Sequence, residues 1–260
     1  AGFSAVFGTP FTGAIFAIEV LTLGKIKFKT LLPALLASVL ADFTVKIWGV
    51  HHHVYAIDDH IKQNLGLFLK IILASVAFGL ASLVFSKLTH TLQSAFNRWI
   101  KIKWLIPVIG GLLLIGLTLL NGKPDYLSLG VDAQYPGAVT IPSAFNEGGA
   151  KTDSWIWKTL YTALTLSSGY KGGEVTPLFY IGATLGNALS VLLDAPVSLF
   201  AALGFIAVFA GATNTPLACT VMGMELFDPS YALLFAIACF TAYLCSGHSG
   251  IYPAQKRLSH

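Results

Sequence analysis

The stretch that decides the fold is residues 169–179, which read Gly-Tyr-Lys-Gly-Gly-Glu-Val-Thr-Pro-Leu-Phe between two long apolar stretches. It is a glycine-rich break with one acid, and a helical apolar pattern resumes directly after it, over 178–193. A carboxylate at membrane depth is costly and is by default a functional residue. Irregular backbone at that depth survives only where it is buried in protein or lines a wet cavity. Because the N–H groups at a helix start attract anions, the break predicts an anion site inside a membrane.

The composition indicates the same class of protein. The 260 residues are 55% hydrophobic and 11% charged, with a mean hydropathy of +0.72. A soluble domain carries roughly 25% charged residues. The apolar runs exceed the length of a barrel strand, and the alternation typical of outer-membrane barrels is absent. We therefore predict an all-α membrane protein with no soluble domain.

Basic residues lie in two segments without acids, 22–30 and 86–104. Two apolar spans, about 31–50 and 65–86, separate them, so both segments fall on one face of the lipid bilayer. The positive-inside rule makes that face cytoplasmic and places segment 51–63 outside. Because the bases flank apolar spans rather than forming a basic, aromatic-rich surface, no nucleic-acid partner is expected. The bases are Lys25, Lys27, Lys29, Lys87, Arg98, Lys101 and Lys103.

Many of the predicted apolar elements are too short to cross a membrane, since a crossing needs about 20 residues. Short helices interrupted by glycine and proline are typical of broken-helix transporters. The stretch 65–97 is the opposite case, long enough to cross at a steep tilt. The predicted elements lie near 9–21, 31–49, 65–97, 104–121, 132–145, 155–168, 175–193, 196–211, 215–226, 229–244 and 252–258.

The sequence also contains an internal repeat. Residues 7–19 align with residues 213–225, and both contain Thr-Pro followed nine residues later by Glu. Two matching short helices far apart in sequence are typical of the duplicated halves of a transporter. The remaining elements of the first half are expected upstream of residue 1, so we take the sequence as the later part of a longer protein. Glu19 and Glu225 are expected to be interfacial or hydrogen-bonded structural acids.

Within the break, the motif at 172–177 carries the chemistry. Gly172 and Gly173 permit close backbone approach and unusual dihedral angles. Glu174 and Val175 supply N–H groups at the helix start. In the structural alternative, Glu174 only complements the helix dipole and Thr176 is a local hydrogen-bonding residue. Burial of the carboxylate favours the functional interpretation.

The protonation state of Glu174 determines whether it repels a neighbouring anion or forms a hydrogen bond with it. An ionised carboxylate repels a neighbouring anion and competes for the same amides, whereas a protonated carboxyl donates a hydrogen bond to it. Burial and a neighbouring anion both favour the protonated form. The sequence therefore predicts that anion occupancy and protonation of Glu174 depend on each other.

The functions of two other segments, the break at 246–253 and the histidines at 51–53, are less clearly indicated by the sequence. Tyr252, in a second break at 246–253, is either a phenol donor to an anion or an interfacial aromatic anchor. The histidines at 51–53, with His60, lack the spacing of a metal site, so we expect a solvated loop and no metal. No catalytic triad, His-Glu-x-x-His or phosphate-loop pattern is present, so an enzyme is not expected.

The order of these motifs resembles the CLC family of chloride channels and anion/proton antiporters. Residues 1–19 resemble the helix pair that follows the family's gating-glutamate motif. Residues 172–177 occupy the place of the Gly-x-Phe-x-Pro anion motif, and 211–218 and the tyrosine-bearing segment 252–258 complete the order. The resemblance covers essentially the whole sequence, and four motifs in the right order make it specific.

Departures from the family pattern point to one branch. Val175 replaces the usual phenylalanine, and Glu174-Val175-Thr176 resembles the CLC-type fluoride/proton antiporters, in which this glutamate and threonine are implicated in fluoride handling and proton coupling. Val20 occupies the place of the inward-facing proton-transfer glutamate of chloride/proton antiporters. Because chloride channels also lack that glutamate, Glu174 rather than Val20 separates a channel from a fluoride antiporter. The serine loop and the gating glutamate are expected upstream.

The resemblance implies a CLC-type inverted-repeat fold with many short, tilted and broken helices. Residues 1–66 are expected to end the first repeat and include an external loop, and residues 67–260 to form the second repeat. The family's assembly implies a homodimer through the helices near 9–21, 31–49, 215–226 and 229–244.

The implied function is a fluoride/proton antiporter in a bacterial inner membrane, with fluoride (or chloride) as the transported ligand and no cofactor. The first alternative is a CLC chloride channel or chloride/proton exchanger. The second is a membrane enzyme or receptor that uses Glu174 as an acid, and it needs a second catalytic group near residue 174. Glu174 is expected to couple protons. The implied anion-binding residues are Gly173, Glu174, Val175, Thr176 and Tyr252.

Overall fold

The computed structural model describes residues 1–21, 28–58, 61–247, 250–252 and 254–255. Over these residues the chain is all-helical, with no β-strand, which confirms the predicted class. The α-helices are α1 (Gly2–Phe7), α2 (Pro10–Glu19), α3 (Leu31–Ile47), α4 (Leu65–Trp99), α5 (Leu105–Asn121), α6 (Ser154–Ser167), α7 (Val175–Leu193), α8 (Val197–Thr213), α9 (Pro216–Leu226) and α10 (Ala232–Cys245).

Among the described residues, three helical segments are long and apolar enough to cross a membrane. They are Phe28–Ile47, which includes α3, together with α4 and α7. The 35 residues of α4 extend over roughly 52 Å at 1.5 Å per residue, well beyond a hydrocarbon core of about 30 Å. Helix α4 therefore reaches past the core or crosses it at a steep tilt. The other apolar helices are shorter than 18 residues, as expected for a broken-helix architecture.

One predicted element is wrong. Residues 132–145 do not form an α-helix; only Ser143–Phe145 makes a 3-10 turn. The segment contains Pro136-Gly137, and Gly137 adopts a φ of +84° that continues no right-handed helix. The amide of Ile141 instead donates to the carbonyl of Gly130 at 2.7 Å. The predicted element 252–258 lies largely outside the described residues, as do Lys25, Lys27 and His60.

The core is the contact between α7 and α8, and it depends on glycine. Every residue of α8 from Ser198 to Thr213 is buried. A Cβ atom at Gly182 would overlap the carbonyl oxygen of Gly204, and one at Gly186 would overlap that of Phe200. This small-x-x-x-small spacing lets the two backbones touch, which is how helices gain packing energy where lipid offers no hydrophobic drive.

Helices α4 and α10 pack around this pair. Ser82 of α4 donates its hydroxyl to the carbonyl of Val208 in α8 at 2.8 Å. A Cβ at Gly79 would crowd the carbonyl of Ala242 in α10, so these backbones are also close. Helix α8 is therefore enclosed on several sides, and α7 is held against a fixed support.

The two repeated segments, residues 7–19 and 213–225, have matching backbone conformations where each pair of helices is joined. Gly8 and Asn214, which end α1 and α8, both lie in the left-handed region, with φ of 70° and 58°. Thr9 and Thr215 follow with φ of −120° and −128° and precede the prolines that begin α2 and α9. The two segments thus make the same sharp turn between two helices.

Helices α2 and α9, which belong to the two repeated segments, cap each other. Glu225 of α9 accepts the amides of Phe11 and Thr12 at the start of α2, at 2.9 and 2.7 Å. Glu19 of α2 accepts the amides of Leu217 and Ala218 at the start of α9, at 3.0 and 2.7 Å. Of the two predicted roles for these acids, the hydrogen-bonded structural one is correct. Each carboxylate satisfies the N–H groups that the other helix leaves open.

The glycine contact can be tested by substitution. We expect Gly182→Leu to prevent the native packing of α7 on α8, because the new side chain overlaps a backbone carbonyl rather than a movable side chain. Gly116→Leu is the matched control, since a Cβ at that helical glycine meets nothing within 4 Å. Thermal unfolding in detergent, followed by size-exclusion chromatography, measures the effect. A monodisperse Gly182→Leu protein with unchanged stability would contradict the argument.

The reciprocal caps give a second prediction. Glu225→Ala leaves two amides at the start of α2 without an acceptor, and hydrogen bonds to charged groups contribute about 1.5–3 kcal/mol. We expect the free energy of unfolding to fall by about that amount. Glu147→Ala, in an exposed loop, is the control and should be neutral. Equal stability of the two variants would show that the cap contributes nothing.

Candidate anion site

The start of α7 presents backbone donors that have no acceptor among the described residues. The first hydrogen bond of the helix runs from the amide of Leu178 to the carbonyl of Glu174, at 3.2 Å. The amides of Val175 and Thr176 precede it, so the helix itself gives them no acceptor. Pro177 has no N–H. The carboxyl of Glu174 makes no capping hydrogen bond to the helix.

The two glycines before Glu174 leave open space beside the backbone and do not adopt a positive φ. Neither Gly172 nor Gly173 has a positive φ, so the predicted unusual dihedral angles are wrong at these positions. The positive φ, +83°, belongs to Gly169 at the end of α6. A Cβ at Gly172 or Gly173 would meet nothing within 4 Å, and Gly173 is exposed. The break therefore borders open space in which an anion can approach the backbone.

An inner cavity opens beside Glu174. Its volume is about 310 Å³, and it lies between α4 and the break that follows α6. The α4 residues that line it, including His90, belong to the half of that helix nearest Arg98, on the face predicted to be cytoplasmic. Its polar and charged side chains are Thr89, His90, Gln93, Tyr170, Lys171 and Glu174.

An outer cavity lies on the other side of the same helical turn. Its volume is about 230 Å³, and Thr176 lines it together with Tyr55, His52 and His53. The histidines belong to the loop predicted to be external. Since Glu174 and Thr176 are two residues apart, the first turn of α7 stands between an inner and an outer cavity.

Tyr252 joins this site from the second break. Its phenol is half-buried and interacts electrostatically with the Glu174 carboxyl. The neighbouring Ile251 amide donates to the carbonyl of Ala212 at 2.9 Å, which fixes the segment at the end of α8. The two predicted roles of Tyr252, phenol donor and interfacial anchor, both stay predictions. Of the five predicted anion-site residues, Gly173 to Thr176 are contiguous, and Tyr252 is brought in by the fold.

Phenylalanine side chains pack behind the first turn of α7. Phe179 stacks on Phe205 of α8 with ring centroids 4.0 Å apart and meets Phe7 edge-on at 5.2 Å. These three rings also line the outer cavity together with Thr176, so the wall of that cavity next to α7 is apolar.

The external histidines are more ordered than predicted. His52 Nε2 bonds to the carbonyl of Ala5 at 2.9 Å, which ties the loop to α1. His53 lies 3.7 Å from Asp132. In the described part of the chain, no three metal-ligating side chains come together. The loop is largely exposed, as predicted, and its residues His52, His53 and Tyr55 also line the outer cavity.

Sequence reasoning missed His90 and Tyr55 as cavity residues. His90 was included in an apolar element, yet Thr89, His90 and Gln93 place a polar patch on one side of α4, which was the available signal. Tyr55 carried no such signal. It reaches the outer cavity only because its loop folds back over α8, where its ring lies 5.6 Å from that of Phe205.

The three helix starts differ in one respect. The starts of α2 and α9 are closed by carboxylates, Glu225 and Glu19. At the start of α7 the Glu174 side chain makes no capping hydrogen bond, and the first turn borders two cavities. A helix start is the kind of place where proteins bind small anions.

Comparison with known proteins places this geometry in a family. The sequence model described as "Voltage gated chloride channel" matches residues 1–247. The "Chloride/fluoride channel protein" of Pseudomonas syringae pv. tomato is 46% identical over 98% of this chain and 56% of its own length. An "H(+)/Cl(-) exchange transporter ClcA" of Yersinia pestis is 27% identical over 99% of this chain and 55% of its own length. The chain thus spans little more than half the length of these curated relatives.

Solved structures agree with the sequence relatives. A crystal structure of a CLC-type fluoride/proton antiporter matches 99% of this chain and 63% of its own, with a TM-score of 0.91 and 35% identity. The structure of a slow cyanobacterial Cl⁻/H⁺ antiporter matches 97% of this chain with a TM-score of 0.72 at 17% identity, which supports the fold alone. The chain belongs to the voltage-gated chloride channel (CLC) family of membrane proteins and has the family's inverted-repeat fold.

Proposed function

We propose that the protein exports fluoride across a bacterial inner membrane in exchange for protons, as a homodimer with one pore per subunit. The observation that carries the proposal is the uncapped Glu174 carboxyl beside the free amides of α7, between an inner and an outer cavity. The names of two relatives, a chloride/fluoride channel protein and a fluoride/proton antiporter, support fluoride as the substrate.

The choice of fluoride rests on hydrogen-bond strength. Fluoride is small and strongly hydrated, so removing its water requires strong donors. The amides of Val175 and Thr176, the Tyr252 phenol and a protonated Glu174 provide such donors around one point of the chain. Gly173 leaves the space in which the ion approaches them.

The proposed cycle uses Glu174 in two states. Protonated, it donates a hydrogen bond to the anion at the α7 start; ionised, it repels the anion. Release of the proton toward the inner cavity and release of fluoride toward the outer cavity are therefore linked at one side chain. Thr176 contacts the ion on its outward path, since its side chain lines the outer cavity.

The second candidate is a chloride channel or chloride/proton exchanger. It is favoured by the relatives named as chloride exchange transporters at 27% identity. Chloride is larger and less strongly hydrated, and it does not require a protonated carboxyl as a donor. Comparing chloride and fluoride flux through the same reconstituted full-length protein separates the two candidates.

The exposed apolar surface supports the proposed dimer. Helix α3 exposes a row of large apolar side chains, and α10 and α9 add further ones. These helices, with α2, form the predicted dimer face. The exposed residues are Leu32, Leu36, Leu40, Phe43, Leu217, Leu233, Phe240 and Leu244.

Replacing the proton carrier tests the cycle. We expect Glu174→Gln in the full-length protein to abolish proton uptake and to lower fluoride efflux by about tenfold or more, because an amide cannot release a proton. A fluoride electrode and a pH-sensitive dye measure the two fluxes from liposomes. Glu147→Gln, in an exposed loop, is the matched control. Unchanged rates and coupling in Glu174→Gln would show that this mechanism is wrong.

The phenol gives an equilibrium test. Tyr252→Phe removes one O–H donor to the anion, and a hydrogen bond to a charged group contributes about 1.5–3 kcal/mol. We expect fluoride affinity, measured by calorimetry on the full-length protein, to fall about 10- to 150-fold. Tyr161→Phe is the control, because that hydroxyl bonds to Thr118 away from both cavities. An affinity unaffected by Tyr252→Phe would remove the phenol from the site.

A further inference from the structure

His90 occupies an unusual place on α4. It lies 25 residues after Leu65, roughly 37 Å along the helix axis, in the half of α4 that ends at Trp99. It is half-buried, while Lys87, one turn earlier, is exposed. An imidazole is the side chain that exchanges protons most readily near neutral pH. Its position between the core and the basic cytoplasmic face is therefore chemically significant.

His90 and Glu174 share one cavity. Both line the inner cavity of about 310 Å³, and the two side chains interact electrostatically. A single water molecule needs only about 15 Å³ of such space. The cavity is therefore large enough for water molecules that connect the imidazole, the carboxyl and the inner solution.

The hydrogen bonding of His90 defines which nitrogen is available. Nε2 lies 3.2 Å from the carbonyl oxygen of Gly250. A carbonyl only accepts, so Nε2 carries the hydrogen of this bond and Nδ1 is left as the basic atom of the neutral ring. The same bond holds the ring next to the segment that carries Tyr252, on the site side of α4.

We propose that His90 relays protons between Glu174 and the solution on the cytoplasmic face, through the cavity that both side chains line. The proposal rests on the proposed fluoride/proton exchange and adds the inner half of the proton path. In the import direction, the O–H bond of the Glu174 carboxyl breaks and an N–H bond forms at Nδ1 of His90, directly or through water. The products are a carboxylate and an imidazolium, and the imidazolium then gives the proton to inner water.

The other ionisable groups around His90 do not replace it. Tyr170 donates its hydroxyl to the carbonyl of Pro107 at 2.7 Å. Lys171 lines the cavity as an exposed ammonium, and Lys87 is a second exposed ammonium on α4. Tyr252 faces Glu174 from the second break. Of the side-chain types among the described cavity residues, imidazole is the one that most readily both accepts and donates a proton near neutral pH, so His90 is the group suited to this relay.

Two substitutions separate a proton relay from a structural contact. Glutamine at this position retains an N–H donor for the Gly250 carbonyl but cannot accept and release a proton, whereas leucine loses both functions. We expect His90→Gln and His90→Leu to slow proton-coupled fluoride flux alike, by about tenfold or more. The readouts are fluoride efflux and proton uptake in liposomes containing the full-length protein. His51→Gln, in the exposed part of the external loop, is the control.

The pH profile gives a readout that a structural role does not move. When the pH on both sides is lowered together from about 8 to about 5.5, so that the proton gradient stays constant, wild-type proton uptake should change with pH, because an imidazole relay works by alternating between its neutral and protonated forms. The profile of His90→Gln should be flat over this range. A wild-type rate that ignores this change of pH would overturn the relay even if neither variant folds.

The possible outcomes are distinguishable. Wild-type rates in His90→Gln together with slow flux in His90→Leu would show that the Gly250 bond alone matters and would overturn the relay. Wild-type rates in both variants would overturn it as well. If the wild-type protein moves fluoride without protons, the proposed function fails first and the relay fails with it. Slow flux and a flat pH profile in His90→Gln, with unchanged fluoride affinity, support the relay.

Discussion

The structure depends on where the backbone N–H groups at helix starts find acceptors. Inside a bilayer no water is available to them, and each unsatisfied group costs several kcal/mol. Helices α2 and α9 solve this by exchange, because Glu225 and Glu19 each accept two amides of the other helix. Helix α7 receives no such carboxylate. Its start differs from those two and borders the inner and the outer cavity, where we propose that an anion binds.

The proposed anion site at the start of α7 requires that this helix is held in a fixed position. Gly182 and Gly186 bring its backbone against α8, and α8 is buried along its length. A donor set on a rigid helix binds an ion without first losing the entropy of ordering itself. The tight glycine contacts and the open helix start are therefore two parts of one arrangement, since the first fixes the geometry of the second.

Most elements and the central motif were predictable because their signals are local. Helix α7 begins and ends as predicted, at residues 175 and 193, since a glycine-rich break and an apolar run lie next to each other in sequence. The segment 132–145 was mispredicted because its apolar composition hid the effect of Pro136-Gly137 on the backbone. The positive φ of this break lies at Gly169 and not at Gly172 or Gly173, whereas the close backbone approach predicted for those two glycines stays a prediction.

The sequence by itself determined the membrane class, the repeat of two helices that begin after Thr-Pro, and the placement of Glu174 at a helix start. These follow from composition and from spacings of a few residues. Only the tertiary structure decided which groups meet. Glu19 reaches an amide 199 residues away, and His90 of α4 shares a cavity with Glu174 of the break after α6. Such contacts depend on how separate helices pack, and hydrophobic periodicity specifies which face a helix buries but not the partner that covers it.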